Sequence, residues 1–239
     1  MDLAELTWDT TPTDPDAVLL PVGSTEQHGP HAPLGTDTIT ADEVARRTAA
    51  RSGDELLIAP PIPVGVAAEH RQFRGSLWVS ADTFQAYVGE VVGALAAHGW
   101  NRIIIVNGHG GNVPALEIVT AELTRELSAR VVPFTWFDAV DAEYRRQMGH
   151  GGPIETAAIQ AITPELIDES QLEAAAADGA ERWGRWSGRT NVAVDTHEFT
   201  TSGAVGDPRA GSAELGAAVL DAATVELLAL VDALIEMTD

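Results

Sequence analysis

Two short apolar runs, Ala17 to Val22 and Arg102 to Asn107, each lead into a glycine-rich turn that carries histidine and then opens a helix. This shared strand–turn–helix pattern constrains the fold more than any other feature. Apolar runs of about six residues suit strands buried on both faces, and buried strands alternating with helices build a parallel sheet. The first turn, Gly23 to Asp37, holds Glu26, His28, His31 and Asp37 among three glycines and two prolines. A strand that ends in a turn loaded with carboxylate and imidazole is where an α/β protein places its chemistry.

The spacing predicts a helix over 36–51, a second strand over 55–59 and a proline-rich loop over 60–65 that cannot be helical. The stretch 69–78 is rich in polar and aromatic groups and suits a substrate wall, although His70 taken alone reads equally as a surface residue. A helix running to Ala97 follows, with Val88, Val91, Val92, Leu95 and Ala96 on its core face. The second turn, Gly108 to Asn112, offers His109 beside a helix N-terminus, with Asn112 as a candidate cap for the helix over 113–130. A fourth strand over 130–136 and a short helix over 141–148 lead to a third glycine turn. That turn carries His150, and Glu155 lies just inside the helix that opens at Pro153. Glu155 reads as a site residue or, equally, as a carboxylate favoured in a first helical turn. Ser212 caps a long closing helix to Met237. With no repeat, linker or composition shift, residues 1–239 read as one domain.

Composition restricts the chemistry. There is no cysteine, so disulfides and thiolate ligands are excluded, and a metal must be held by histidine and carboxylate. The 36 acidic and 14 basic residues give a net charge of −22, and every basic residue is arginine. Such self-repulsion is tolerable where concentrated salt screens it, which points to a halophilic cytoplasm; arginine-for-lysine codon bias is the plainer alternative. The charge argues against a nucleic-acid partner. No apolar run approaches the ~20 residues of a membrane span and no signal-like segment opens the chain, so the expected location is cytoplasmic.

Glu26 and His28 lie two residues apart and leave an extended backbone on one face, and Asp37 returns after a turn. That mixture of nitrogen and oxygen donors suits Zn, Mn or Fe(II) better than an all-oxygen Ca or Mg site. Together, G-S-T-E-Q-H-G-P-H-A-P-L-G-T-D at 23–37, N-G-H-G-G-N at 107–112 and H-G-G-P-I-E-T at 150–156 resemble the creatininase family of metal-dependent amide hydrolases. The resemblance runs from Leu19 to the G-D-P turn at Gly206. It implies a single-domain, three-layer α/β/α sandwich with a mostly parallel sheet, often assembled as a hexamer, acting on a small-molecule amide or formamide. It also implies two divalent ions held by Glu26, His28, Asp37, His109 and Glu155, with Asp37 bridging and His150 as proton donor to the leaving nitrogen.

One position departs from the pattern: creatininase carries a metal-binding glutamate where this chain has Gly111, so a second ion must rely on Glu155 or be absent. That weakens creatinine as the substrate. Among the family's branches, the acidic composition favours deformylation of a formamidopyrimidine nucleotide, as in flavin and deazaflavin synthesis. Creatinine hydrolysis and trimming of a mycofactocin-type precursor peptide are the alternatives. Two other classes compete with a hydrolase: a protein whose metal is purely structural, and a nucleotide-binding enzyme using Gly108 to Gly111 as a phosphate cradle. The latter lacks both G-K-[ST] and G-x-G-x-x-G.

Overall fold

The computed structural model describes residues 1–53 and 55–237. Four strands, β1 (Ala17–Val22), β2 (Leu56–Ile58), β3 (Arg102–Asn107) and β4 (Arg130–Thr135), form one sheet in the order β2-β1-β3-β4, all parallel. Helices α1 (Thr36–Arg51), α2 (Ala81–Ala97), α3 (Val113–Glu126), α4 (Ala142–Arg145), α5 (Pro153–Ile162), α6 (Leu172–Ala177) and α7 (Ala213–Glu236) follow in chain order. A two-stranded hairpin, β5 (Trp186–Ser187) with β6 (Thr190–Asn191), lies outside the main sheet.

Successive side chains of β1 and β3 point to opposite faces, and both faces are apolar. Leu19, Ile104 and Val106 pack with α1, α5 and α7 through Val44, Ile154, Val219, Leu220 and Leu227. Val18, Leu20, Ile103 and Ile105 pack with α2 and α3 through Val88, Val92, Leu116 and Val119. The result is the expected three-layer α/β/α sandwich. Fully buried central strands explain why their sequences are continuous apolar runs rather than alternating ones.

After β1 the chain crosses to β2 on one side, and then returns to β3 on the other. The strand order therefore reverses between β1 and β3, and ligands of such sheets bind beyond the carboxyl ends of the strands at that point. Val22 pairs with Asn107, so the two histidine-bearing turns leave the sheet side by side. Several boundaries are tighter than the sequence suggests: the second strand keeps only Leu56–Ile58, and α3 stops at Glu126. Ser212 does cap α7, its hydroxyl accepting from the Leu215 N–H.

Candidate metal centre

The three turns converge. Glu26, His28 and Asp37 from the first turn each offer a ligand atom within 4.8 Å of the others, as do His28, His150 and Glu155, and Glu26, His70 and His150. All are buried. His109 from the second turn completes the cluster, its Nδ1 3.1 Å from Glu26 Oε1 and 3.3 Å from Asp37 Oδ2. Asp37 faces two ways: its Oδ1 lies 3.0 Å from His28 Nε2, while its Oδ2 faces His109. Glu155 Oε2 lies 3.8 Å from His28 Nε2 and accepts the Gly151 N–H at 2.6 Å. All six residues singled out from the sequence for roles in the site thus meet at one place.

The backbone fixes the imidazoles. His28 donates its Nδ1–H to the Glu26 carbonyl at 3.2 Å, and His109 donates its Nε2–H to the Val66 carbonyl at 2.9 Å. Each ring therefore turns its other nitrogen toward the carboxylates, the outer-shell arrangement that orients metal-binding histidines. Both Glu26 carboxylate oxygens, His28 Nε2 and Asp37 Oδ2 are buried without a hydrogen-bond partner. Leaving such groups unsatisfied is costly unless a cation completes them. The donor set fits a divalent transition metal: imidazole and carboxylate, no thiolate, buried, with lone pairs converging.

The electrostatics agree. Burial alone pushes His28 down, but Asp37, Glu155 and Glu26 outweigh it and raise the imidazole to about 10. His109 is likewise lowered by burial but driven well above its ordinary value by Glu26 and Asp37. Burial pushes the Asp37 carboxyl up, but His28 and His109 hold it well below the usual carboxylate range. In Glu155 burial wins, and the carboxyl is raised to about 7. The pocket thus draws positive charge to the spot where the lone pairs meet.

Two residues, His70 and Asn112, differ from their sequence reading. His70 is not a surface residue: it is 1% exposed, its ring stacks on His150 at 4.4 Å between centroids, and its Nε2 lies 3.4 Å from Glu26 Oε1. In sequence it is a lone histidine, and in the structure it closes a short turn, Ala68–His70. The signal available was its place just beyond the proline-rich exit of β2. Asn112 does not cap α3 with its side chain. Instead its amide donates to the Gly23 carbonyl at 3.0 Å and accepts the Val66 N–H at 2.9 Å, tying the first two turns together. His31 is buried, hydrogen-bonded through Nε2 to Thr156 at 2.9 Å, and stands outside the three ligand groups.

The cluster opens into a cleft of about 360 Å³ walled by Glu69, His70, Phe137, Met148 and Trp183. The stretch 69–78 thus contributes part of the wall expected of it. A Cβ at Gly111 would stand 3.0 Å from Glu69 Oε1, so Glu69 fills space that a longer side chain at 111 would need.

A parallel α/β sheet with a histidine–carboxylate centre at its switch point defines a class of metal-centred α/β proteins. Residues 4–231 match the creatininase family, described as creatinine amidohydrolase, and the chain belongs to that family. A mycofactocin precursor peptide peptidase of Mycobacterium ulcerans is 35% identical over 180 residues, covering 72% of this chain and 69% of the relative. A 2-amino-5-formylamino-6-ribosylaminopyrimidin-4(3H)-one 5'-monophosphate deformylase of Methanobrevibacter ruminantium is 30% identical over 151 residues, covering 62% of this chain and 58% of the relative. The fold superposes on a creatininase variant complexed with creatine at a TM-score of 0.81, with 24% identity and 99% of each chain covered.

Proposed function

We propose that this protein is a divalent-metal-dependent hydrolase of an amide-type C–N bond. The observation that carries the reading is the set of buried, unpartnered ligand atoms on Glu26, His28 and Asp37, joined by His109 and oriented by backbone carbonyls. The two carboxylate oxygens of Asp37 face different histidines, so this residue would serve two ions if both were bound. Glu26 and His109 would hold one, and His28 and Glu155 the other, with Zn, Fe(II) or Mn the metals such donors take. Bound there, the metal would lower the pKa of a water and polarise the carbonyl under attack.

The chain's own residues supply the proton traffic. His150 donates its Nε2–H to the Gln27 carbonyl at 2.6 Å, so its Nδ1 lone pair faces the centre, 3.8 Å from Glu26 Oε1. Burial, with His28 and His70 beside it, holds the ring well below its ordinary pKa and therefore neutral. It accepts the proton of the attacking water at Nδ1 and hands it to the departing nitrogen, which makes His150 the general base and then the general acid. Trp183 packs at a steep angle against His70 and His150, its ring centroid 5.8 and 5.7 Å from theirs.

For the substrate, the cleft wall favours an amide without a phosphate. The lining includes carboxylates, histidines, Phe137, Met148 and Trp183 but no arginine, and the chain has no lysine. The peptidase relative, at higher identity than the deformylase, points the same way, toward a bond in a precursor peptide. Deformylation of a formamidopyrimidine nucleotide is the second reading, supported by the deformylase relative. The test is hydrolysis of a mycofactocin-type precursor peptide, a formamidopyrimidine nucleotide and creatinine by protein loaded with each metal. Turnover of the peptide alone supports the first reading, release of formate from the nucleotide the second. No turnover of any of the three overturns both.

A further inference from the structure

His70 is a buried imidazole at the cleft for which the reaction above has no use, and the hydrogen bonds around it fix where its proton sits. The chain of deduction begins at the Gly29 backbone N–H, which can only donate. It donates to Gln27 Oε1 at 2.8 Å, and so settles which end of that carboxamide is oxygen. The other end is therefore the NH2 group, which lies 2.8 Å from His70 Nδ1 and 3.2 Å from the Gly203 carbonyl, one partner for each hydrogen. His70 Nδ1 is thus an acceptor, and the Thr196 hydroxyl at 3.3 Å is a second donor to it. A neutral ring that accepts at Nδ1 carries its hydrogen on Nε2. That nitrogen faces Glu26 Oε1 at 3.4 Å and makes no hydrogen bond among the described residues. His150 Nε2 also approaches the Gln27 amide nitrogen, at 2.9 Å, but its own hydrogen is given to the Gln27 carbonyl at 2.6 Å.

One residue, Gln27, therefore sets the Nε2–H tautomer in two stacked rings that present opposite nitrogens to the centre: its backbone carbonyl leaves His150 with an Nδ1 lone pair there, and its side chain leaves His70 with an Nε2–H. We propose that His70 is a catalytic hydrogen-bond donor, its Nε2–H held toward the cleft by Gln27 to stabilise the carbonyl oxygen that becomes negative as the amide is attacked. A donor at that position excludes His70 from the ligand set, although its distance from Glu26 and His150 would admit it. The inference rests on the hydrolase reading, and Gln27 is the positioning residue.

The test is a long-range proton–nitrogen correlation spectrum of the full-length protein, metal-stripped and labelled at the imidazole nitrogens, with His70 assigned by the signal missing from His70→Phe. The expected result is a protonated Nε2 and a lone-pair Nδ1 on His70, switched to Nδ1–H in Gln27→Glu, whose carboxylate cannot donate. The companion measurement is on His70→Phe loaded with zinc. Its metal content should equal the parent's, with kcat on the precursor peptide about 10²-fold lower and KM little changed. An Nδ1–H tautomer in the parent protein, or loss of zinc from His70→Phe, overturns the proposal. If the parent hydrolyses nothing, the hydrolase reading fails on that result, and the tautomer and the zinc content still decide whether His70 is a donor or a ligand.

Discussion

Replacing Gly111 by alanine strikes the fold and the metal centre at one point. A Cβ built there lies 2.3 Å from the Val66 carbonyl oxygen and 2.4 Å from His109 Nε2. These are the two partners of the 2.9 Å hydrogen bond that turns His109 Nδ1 toward Glu26 and Asp37. The methyl cannot be accommodated without moving backbone or parting that pair. Overpacking of this kind costs about 1–3 kcal/mol, and at this chain length each kcal/mol lowers Tm by about 2–4 °C, for a fall of about 2–12 °C. Loss of the outer-shell hydrogen bond should cost a further 10- to 100-fold in metal affinity. Gly111→Glu, which restores the carboxylate found at this position in creatininase, should behave worse still, because Glu69 Oε1 already stands 3.0 Å from the Cβ position. Calorimetry of stripped protein gives the Tm change, and titration with zinc gives the affinity. A Gly111→Glu protein that keeps the parental Tm and binds zinc more tightly would refute this account of why glycine stands there.

Four further outcomes follow from the same geometry. Asp37→Asn removes the carboxylate shared by His28 and His109, and elemental analysis should find both metal and hydrolysis lost together. His150→Ala should keep its metal and lose hydrolysis; loss of metal would make His150 a ligand rather than the proton carrier. In metal-free protein the raised His28 contributes stability that is complete below its ordinary value near 6.5 and disappears as pH rises through about 10. Tm of the stripped protein should therefore fall between pH 7 and 10, while that of the loaded protein, whose metal has replaced the proton, should not. Away from the site, Ile104→Ala opens a cavity in a fully buried central strand and should lower stability by about 2–5 kcal/mol, read from denaturant unfolding with metal content unchanged.

Much of this architecture is legible in the sequence because buried parallel strands are continuous apolar runs and their turns are marked by glycine. Ala17–Val22 and Arg102–Asn107 are found by that rule alone, and with them Glu26, His28, Asp37 and His109. Their convergence depends on register: Val22 opposite Asn107 sets the two turns side by side, and nothing in the spacing of residues specifies that pairing. His70 escapes for a related reason. It reaches the centre from a single short turn after β2, with no periodic element around it, and only its stacking on His150 and its bond to Gln27 distinguish it from a surface histidine. Asn112 misleads because its position fits a helix cap, whereas its side chain is drawn back to unsatisfied backbone groups at Gly23 and Val66. Gly111 shows as a missing carboxylate in sequence. In space it is a close approach of Val66 and His109 that only a residue without a side chain permits.

The central claim is that the buried histidine–carboxylate cluster binds metal in order to hydrolyse an amide. Its most direct test is to strip the protein with a chelator, confirm that it remains folded, and titrate Zn, Mn or Fe(II) back while following hydrolysis of the precursor peptide, the formamidopyrimidine nucleotide and creatinine. Stripped protein should show no turnover, and activity on one of the three substrates should rise and level off at about two equivalents of metal. Hydrolysis that persists in the stripped protein, or metal-saturated protein inert toward all three, would contradict that claim.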